Sequence, residues 1–116
     1  MILSIMKLFV PIEHREEAVE LLRSIQARLQ LSTDHLGSCI EERNYPSPHI
    51  LYAEQWKSEE ALYEHIRSSA YRRVLAAIEL SIRAPEVIFH FVSHSKGMEL
   101  IQALRGESQR AATQTE

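Results

Sequence analysis

Two segments of this chain are apolar on both of their alternating faces. From Ile2 to Val10, Ile2, Met6, Leu8 and Val10 fall on one parity and Leu3, Ile5 and Phe9 on the other. From Glu86 to His94, Val87, Phe89 and Phe91 stand against Ile88 and Val92. A half-exposed strand alternates apolar and polar residues; a strand covered on both sides does not. Both segments therefore predict strands of a sheet that needs cover on two faces.

The segments between them fill in the order. Pro11 has no N–H to donate and ends the first strand. Glu13 to Leu31 reads as a helix, with Ala18, Leu22, Ile25 and Leu29 spaced by three and four residues and Leu21 widening the stripe. Glu13, Glu16 and Glu17 sit in its first turns, where the helix dipole favours negative charge. After the turn Ser32-Thr33-Asp34, His35 to Asn44 reads as a second strand, with Gly37 marking a bulge or a close backbone approach. Tyr45-Pro46-Ser47-Pro48 is a hairpin loop and His49 to Trp56 a third strand. Ser58 caps a second helix, followed by Glu59 and Glu60. Its buried side is expected to hold Leu62, Ile66, Val74, Leu75 and Ile78, with a break at Ser68-Ser69, whose hydroxyls compete for backbone hydrogen bonds.

Strand, helix, strand, strand, helix, strand is the ferredoxin-like βαββαβ plan of an α+β domain. Its four-stranded antiparallel sheet carries both helices on one face. The other face, left wet, would be an apolar patch larger than soluble monomers usually carry. A second copy of the same face is the simplest cover, so a homodimer packed sheet to sheet is expected, the alternative being that the C-terminal segment folds back over that face. The domain is expected to span residues 2–94. Residues 95–106 would form a short C-terminal helix or arm, and residues 107–116 a tail too polar to order.

At 116 residues the chain fits one such domain. Its formal net charge is −3 with the signs interspersed, so it offers no basic stripe for nucleic acid. No apolar run approaches membrane-spanning length, and the first residues lack the basic region and small-residue cleavage site of a signal peptide. Cys39 is the lone cysteine, expected to be an inert, partly buried thiol, and no internal disulfide is possible. A cytoplasmic location is the expectation that follows.

Few residues offer chemistry. Trp56, the single tryptophan, closes the third strand on the parity of Ile50, Tyr52 and Glu54. It reads as core, or as an aromatic wall for a flat ligand. Glu54 is the odd carboxylate of its strand and reads as a structural or dimer-interface residue, with Arg43 one option for its partner. His65 lies one helical turn past Ala61, at the edge of the buried stripe, as a core histidine or a general base. His90 and His94 are about 13 Å apart along one strand, too far to share a metal. His14, His35 and His49 lie near turns and are expected to be solvated. No metal cluster, nucleophile motif, phosphate loop or dinucleotide fingerprint is visible, so no metal and no cofactor are expected.

The run Glu54-Gln55-Trp56-Lys57-Ser58-Glu59-Glu60-Ala61-Leu62-Tyr63-Glu64-His65-Ile66-Arg67-Ser68 resembles the antibiotic biosynthesis monooxygenase (ABM) domain family. Its signature is a Glu-x-Trp, a Ser or Asp cap, an acidic turn, an Ala-Leu pair, a His and then a Ser. The resemblance extends over about residues 2–94, the flanking strands matching in pattern. It implies a dimeric α+β barrel and the activity of a cofactor-independent monooxygenase on a small aromatic quinol or phenol. Trp56 and Tyr52 would then contact the substrate, and His65 with Trp56 would form the catalytic pair. Tyr52 stands where the anthrone oxygenase type has an asparagine. The haem-degrading type is not matched: strand one holds no asparagine, and the second helix near Leu75 is apolar where that type has its histidine. The alternative is a non-catalytic barrel of the same fold that binds a small apolar ligand.

Overall fold

The computed structural model describes residues 1–114, with side chains described through Gly106. The elements run β1 (Ile2–Leu8), α1 (Ile12–Leu29), β2 (His35–Arg43), β3 (His49–Trp56), α2 (Glu59–Arg67), a 3-10 turn (Ser69–Tyr71), α3 (Arg72–Glu79), β4 (Glu86–Phe91) and α4 (Met98–Gln114). The four strands form one antiparallel sheet in the order β2-β3-β1-β4, the ferredoxin-like arrangement.

The core lies between the sheet and the helices. Ile2, Met6 and Leu8 of β1 and Ile50, Tyr52 and Trp56 of β3 point into it. They meet Ala18, Leu22, Ile25 and Leu29 of α1, the stripe expected from the three-and-four spacing, together with Val19. Leu62 of α2 and Val74 and Ala77 of α3 close the layer. Beyond β1, the Phe9 N–H donates to Ser81 Oγ at 3.0 Å and the Ile82 N–H to the Phe9 carbonyl at 2.9 Å. These bonds replace the sheet pairing that Pro11 ends, and they fix the connection between α3 and β4 to the end of β1.

The second helix is interrupted where expected. The Ser68 hydroxyl donates to the His65 carbonyl at 2.6 Å, and Ser68 itself is extended. The 3-10 turn then restarts the chain as α3. This break rotates the apolar stripe, so Ala77 is buried and Leu75, expected on the buried side, is 48% exposed. The bulge expected near Gly37 is present, between His35 and Gly37. Helix α4 reaches Gln114, past the end expected at residue 106. Ala, Gln, Arg and Glu in that stretch are strong helix formers, which composition-based disorder overlooks. The last part of the expected tail, residues 115–116, lies outside the described residues.

On the helix-free face, Cys39, Ala53, Ile5 and Ile88 are direct cross-strand neighbours, forming an apolar row across all four strands. Strand β4 departs from the expectation of cover on both sides. Ile88 on the open face is 53% exposed, and Val87 and Phe91 on the helix side are 39% and 55% exposed, because the helices lie over β1 and β3. Cys39 is exposed on the same open face, where a partly buried thiol was expected.

Truncating Ile25 in this core to Ala should lower unfolding free energy by about 2–5 kcal/mol in urea titrations. Leu75→Ala should cost only about 0.5 kcal/mol. Equal costs at the two positions would mean that the helix faces are assigned incorrectly.

Candidate functional site

Strand β3 alternates, so Tyr52, Glu54 and Trp56 all project to the helix side, each 2–3% exposed. A carboxylate in such a place needs donors, because burying it unpaired is very costly. Glu54 has three. Its Oε1 accepts the Trp56 indole N–H at 3.0 Å. Its Oε2 accepts the Tyr52 hydroxyl and lies 3.1 Å from His65 Nε2. Two donors come from the same strand, two residues before and two after, a spacing that period-two alternation places on one face.

The third donor depends on α2. The Ser58 hydroxyl accepts the Ala61 N–H at 3.2 Å and starts the helix directly after β3. Nearly two turns later His65 stands over Glu54, 7% exposed. The break at Ser68 then brings Tyr71 edge-on to His65, with ring centroids 5.1 Å apart. Trp56 packs on the other side of His65 at 4.7 Å, and His35 packs edge-on to Trp56 at 5.3 Å. Ser4 and Ser38 are the cross-strand neighbours of Glu54, so a polar row spans β2, β3 and β1 at this level and ends at Phe89 of β4.

Burial pushes the Glu54 carboxyl upward, but its hydrogen bonds with His65, Tyr52 and Trp56 outweigh it and hold the group below its ordinary value. Burial and the Glu54 charge push the Tyr52 hydroxyl well above the usual phenol range and that of Tyr71 up to about 12, so both stay protonated. Burial lowers His35 below the ordinary histidine value. The arrangement is a buried carboxylate that orients an imidazole.

The structure thus brings together all four residues singled out in the sequence: Tyr52, Glu54, Trp56 and His65. It changes what Glu54 contacts. The dimer-interface role and the Arg43 partner give way to three partners inside its own protomer, while Arg43 pairs with Glu41 at 2.5 Å. His35 and His49, expected to be solvated, are half-buried and buried. The bulge turns His35 toward Trp56, and His49 lies beneath the hairpin loop. Tyr71 gave no signal in the sequence, because only the 3-10 turn brings it to His65. Ser4 did give one, as a polar residue in an otherwise apolar strand.

The cluster is closed. The five best-formed clefts among the described residues are lined by none of Tyr52, Glu54, Trp56 or His65. The nearest approach is a cleft of about 350 Å³ lined by Gln26, Ser32, His35 and Ser38, which ends on His35, one ring away from Trp56. Among the described residues, no group of three or more His, Cys, Asp or Glu side chains is placed to hold a metal ion. No described helix is long and apolar enough to cross a membrane.

A four-stranded antiparallel sheet in this order, with helices on one side and a Glu-x-Trp strand leading into a capped helix, defines a ferredoxin-like α+β domain. No family model and no curated protein matches the chain. Solved structures do. One, provisionally assigned as an antibiotic biosynthesis monooxygenase from Deinococcus radiodurans, is 18% identical with a TM-score of 0.72, over 84% of this chain and 97% of that one. Another antibiotic biosynthesis monooxygenase is 17% identical with a TM-score of 0.67, over 81% of this chain and all (100%) of that one. A conserved protein from Methanosarcina mazei is 20% identical with a TM-score of 0.68, over 77% of this chain and 89% of that one. The fold is therefore that of an ABM-like domain.

The lowered carboxyl of Glu54 makes the stability depend on pH with a definite sign. A group whose value is lower in the folded state stabilises above its unfolded value, here 4.5, and that stability is lost as pH falls through the folded value. His35, lowered from 6.5, adds a loss in the same direction that begins as pH falls below 6.5. Urea midpoints should therefore fall from pH 7 toward pH 4 and below. Glu54→Gln should be less stable at pH 7 and show a flatter acid limb; an unchanged acid limb would show that Glu54 is not the group responsible.

Proposed function

We propose that this protein is a homodimeric, cofactor-independent monooxygenase acting on a small electron-rich phenol or quinol, with His65 as its base. The observation that supports the chemistry is the buried Glu54–His65 pair at 3.1 Å, in which an ionised carboxylate orients an imidazole beside the Trp56 ring. The ABM-like fold supports the reaction class.

His65 takes the phenol proton, and the phenolate, now electron-rich, reduces O2 itself. One oxygen atom bonds to a ring carbon, which loses its hydrogen, and the other leaves as water. A phenol becomes a quinone, so the substrate supplies all the electrons and no outside reductant is needed. Trp56 offers a flat wall, and the Tyr52 hydroxyl, kept protonated beside Glu54, donates its hydrogen bond to that carboxylate. Burial excludes water from the reactive anion. The unpaired Cys39 accords with a reducing, cytoplasmic setting.

The homodimer rests on the helix-free face of the sheet. No contact that covers the row Cys39, Ala53, Ile5 and Ile88 is formed among the described residues, and a second copy of the same row matches it by two-fold symmetry. Light scattering after size exclusion should give twice the monomer mass at micromolar concentration, and Ile88→Lys should return a monomer. A wild-type monomer would overturn the dimer.

A second reading has its own observation. Trp56, His65 and Tyr52 are 3%, 7% and 2% exposed and line none of the clefts described, which favours a non-catalytic dimeric barrel in which the cluster is structural and the ligand is a small apolar molecule bound elsewhere. Oxygen uptake with a panel of quinols and anthrones separates the two. The oxygenase should consume O2 above the protein-free rate, with His65→Ala losing about 10²- to 10⁴-fold and Trp56→Phe a smaller part. No uptake with any member, or rates that neither substitution moves, would leave the second reading standing.

A further inference from the structure

We propose that the end of the sheet opposite Trp56 holds a binding site for a small hydroxylated aryl carboxylate, with Arg83 and Arg15 holding its anionic head. The site is independent of the Glu54 cluster. His49 and Trp56 are the two ends of β3, seven steps or about 23 Å apart.

A cleft of about 540 Å³ opens there, within the ordinary size range of small-molecule sites. Its apolar lining includes Phe9, Val10, Ile12 and Ile82, and its polar groups are Arg15, Arg83, Asn44 and Ser47. A second cleft of about 380 Å³ shares Phe9, Ser47 and Arg83 with it and adds Lys7 and His49. The two together form an apolar floor with cations along one side.

The cations are not spent on the protein's own carboxylates. The ion pairs among the described residues are His14–Glu17, Arg43–Glu41 and His65–Glu54, none of which includes Arg15, Arg83 or Lys7. The Arg83 guanidinium carbon lies 3.7 Å from the Phe9 ring centroid, and one of its nitrogens donates to Ser47 Oγ at 3.3 Å. A guanidinium stacked on a ring keeps its remaining edge donors free for a carboxylate. Arg15 reaches the Val10 carbonyl at 3.4 Å, and its Nε is buried with no partner. Glu86 is the carboxylate that lines the joined clefts, and Glu16, Glu20 and Glu42 border Arg15 on its far side.

His49 adds a second requirement. It is 3% exposed, its Nδ1 lies 2.7 Å from the Ser47 carbonyl oxygen, and its Nε2 is buried without a partner. A carbonyl only accepts, so Nδ1 carries the proton and donates. Nε2 is then left as a buried polar atom that a ligand hydroxyl would satisfy. The α1 N-terminus, whose Pro11 cap contributes no side-chain hydrogen bond, adds uncapped N–H groups at the rim. The apolar floor selects a carboxylate on a ring over a bare phosphate, which would leave that floor uncovered.

Calorimetric titration of the full-length protein tests this with three probes: 4-hydroxybenzoate, benzoate and inorganic phosphate. Saturable binding is expected for 4-hydroxybenzoate, weaker binding for benzoate, and none for phosphate. Arg83→Gln and Arg15→Gln should each weaken 4-hydroxybenzoate binding by about tenfold, as loss of a charge-assisted hydrogen bond implies. Amide NMR shifts in the wild type should cluster at residues 9–15, 44–49 and 82–84. The proposal is overturned by an absence of saturable heat, by phosphate binding as tightly as 4-hydroxybenzoate, by shifts centred on Trp56, or by folded arginine variants that bind like the wild type.

Discussion

An ionised carboxylate inside the core is the feature on which the local architecture depends. Water would solvate Glu54 far better than an apolar interior does, so its burial is tolerable only with all of its donors in place. Two of those donors, Tyr52 and Trp56, come from β3 itself. The third, His65, arrives only because Ser58 starts α2 at once and Ser68 ends it on the far side of the histidine. The cap, the break and the 3-10 turn all serve the position of one imidazole. The network that orients His65 also places it between the rings of Trp56 and Tyr71. A fixed imidazole and its burial are thus two results of one set of contacts.

The sheet divides the molecule's interactions between its faces. The helix side is fully used over β1 and β3, and it holds both the apolar core and the polar row through Ser38, Glu54 and Ser4. The opposite side carries the apolar row through Ile5 and Ala53, over which none of the described helices packs. Strand β4 lies at the edge with apolar side chains exposed on both faces. Beyond it, α4 carries Met98 and Ile101 exposed at 64% and 57%. The molecule measures 64 × 34 × 21 Å, more elongated than a compact domain of its length. Exposed apolar side chains therefore occur on β4 and on the helix that follows, as well as at Ile12, Leu31, Tyr45 and Ile82.

Much of this was legible in the residues. Period-two alternation placed Tyr52, Glu54 and Trp56 on one face, and the Ser58 cap fixed where α2 begins. Three-and-four spacing picked out the buried stripe of α1. Where the reading failed, the cause was contact between distant segments. Arg43 was a reasonable partner for Glu54 on charge alone, but strand parity turns it to the other face, where Glu41 is nearer. His35 and His49 sat beside turns and looked solvated. A bulge and a hairpin loop bury them, and neither device is visible in the residue types alone.

The sequence by itself determined the element order, the antiparallel ferredoxin-like plan and the membership of the Glu54 face, because these follow from local periodicity, capping and steric rules that act within a few residues. Only the tertiary structure decided that the four residues close into a sealed network, that Tyr71 and His35 join it, and that Arg83 stacks on Phe9 in a cleft that Arg15 also lines at the other end of the sheet. Those outcomes depend on which distant side chains meet, and on whether a cavity is left between them. Both are settled by packing density and desolvation across the whole fold.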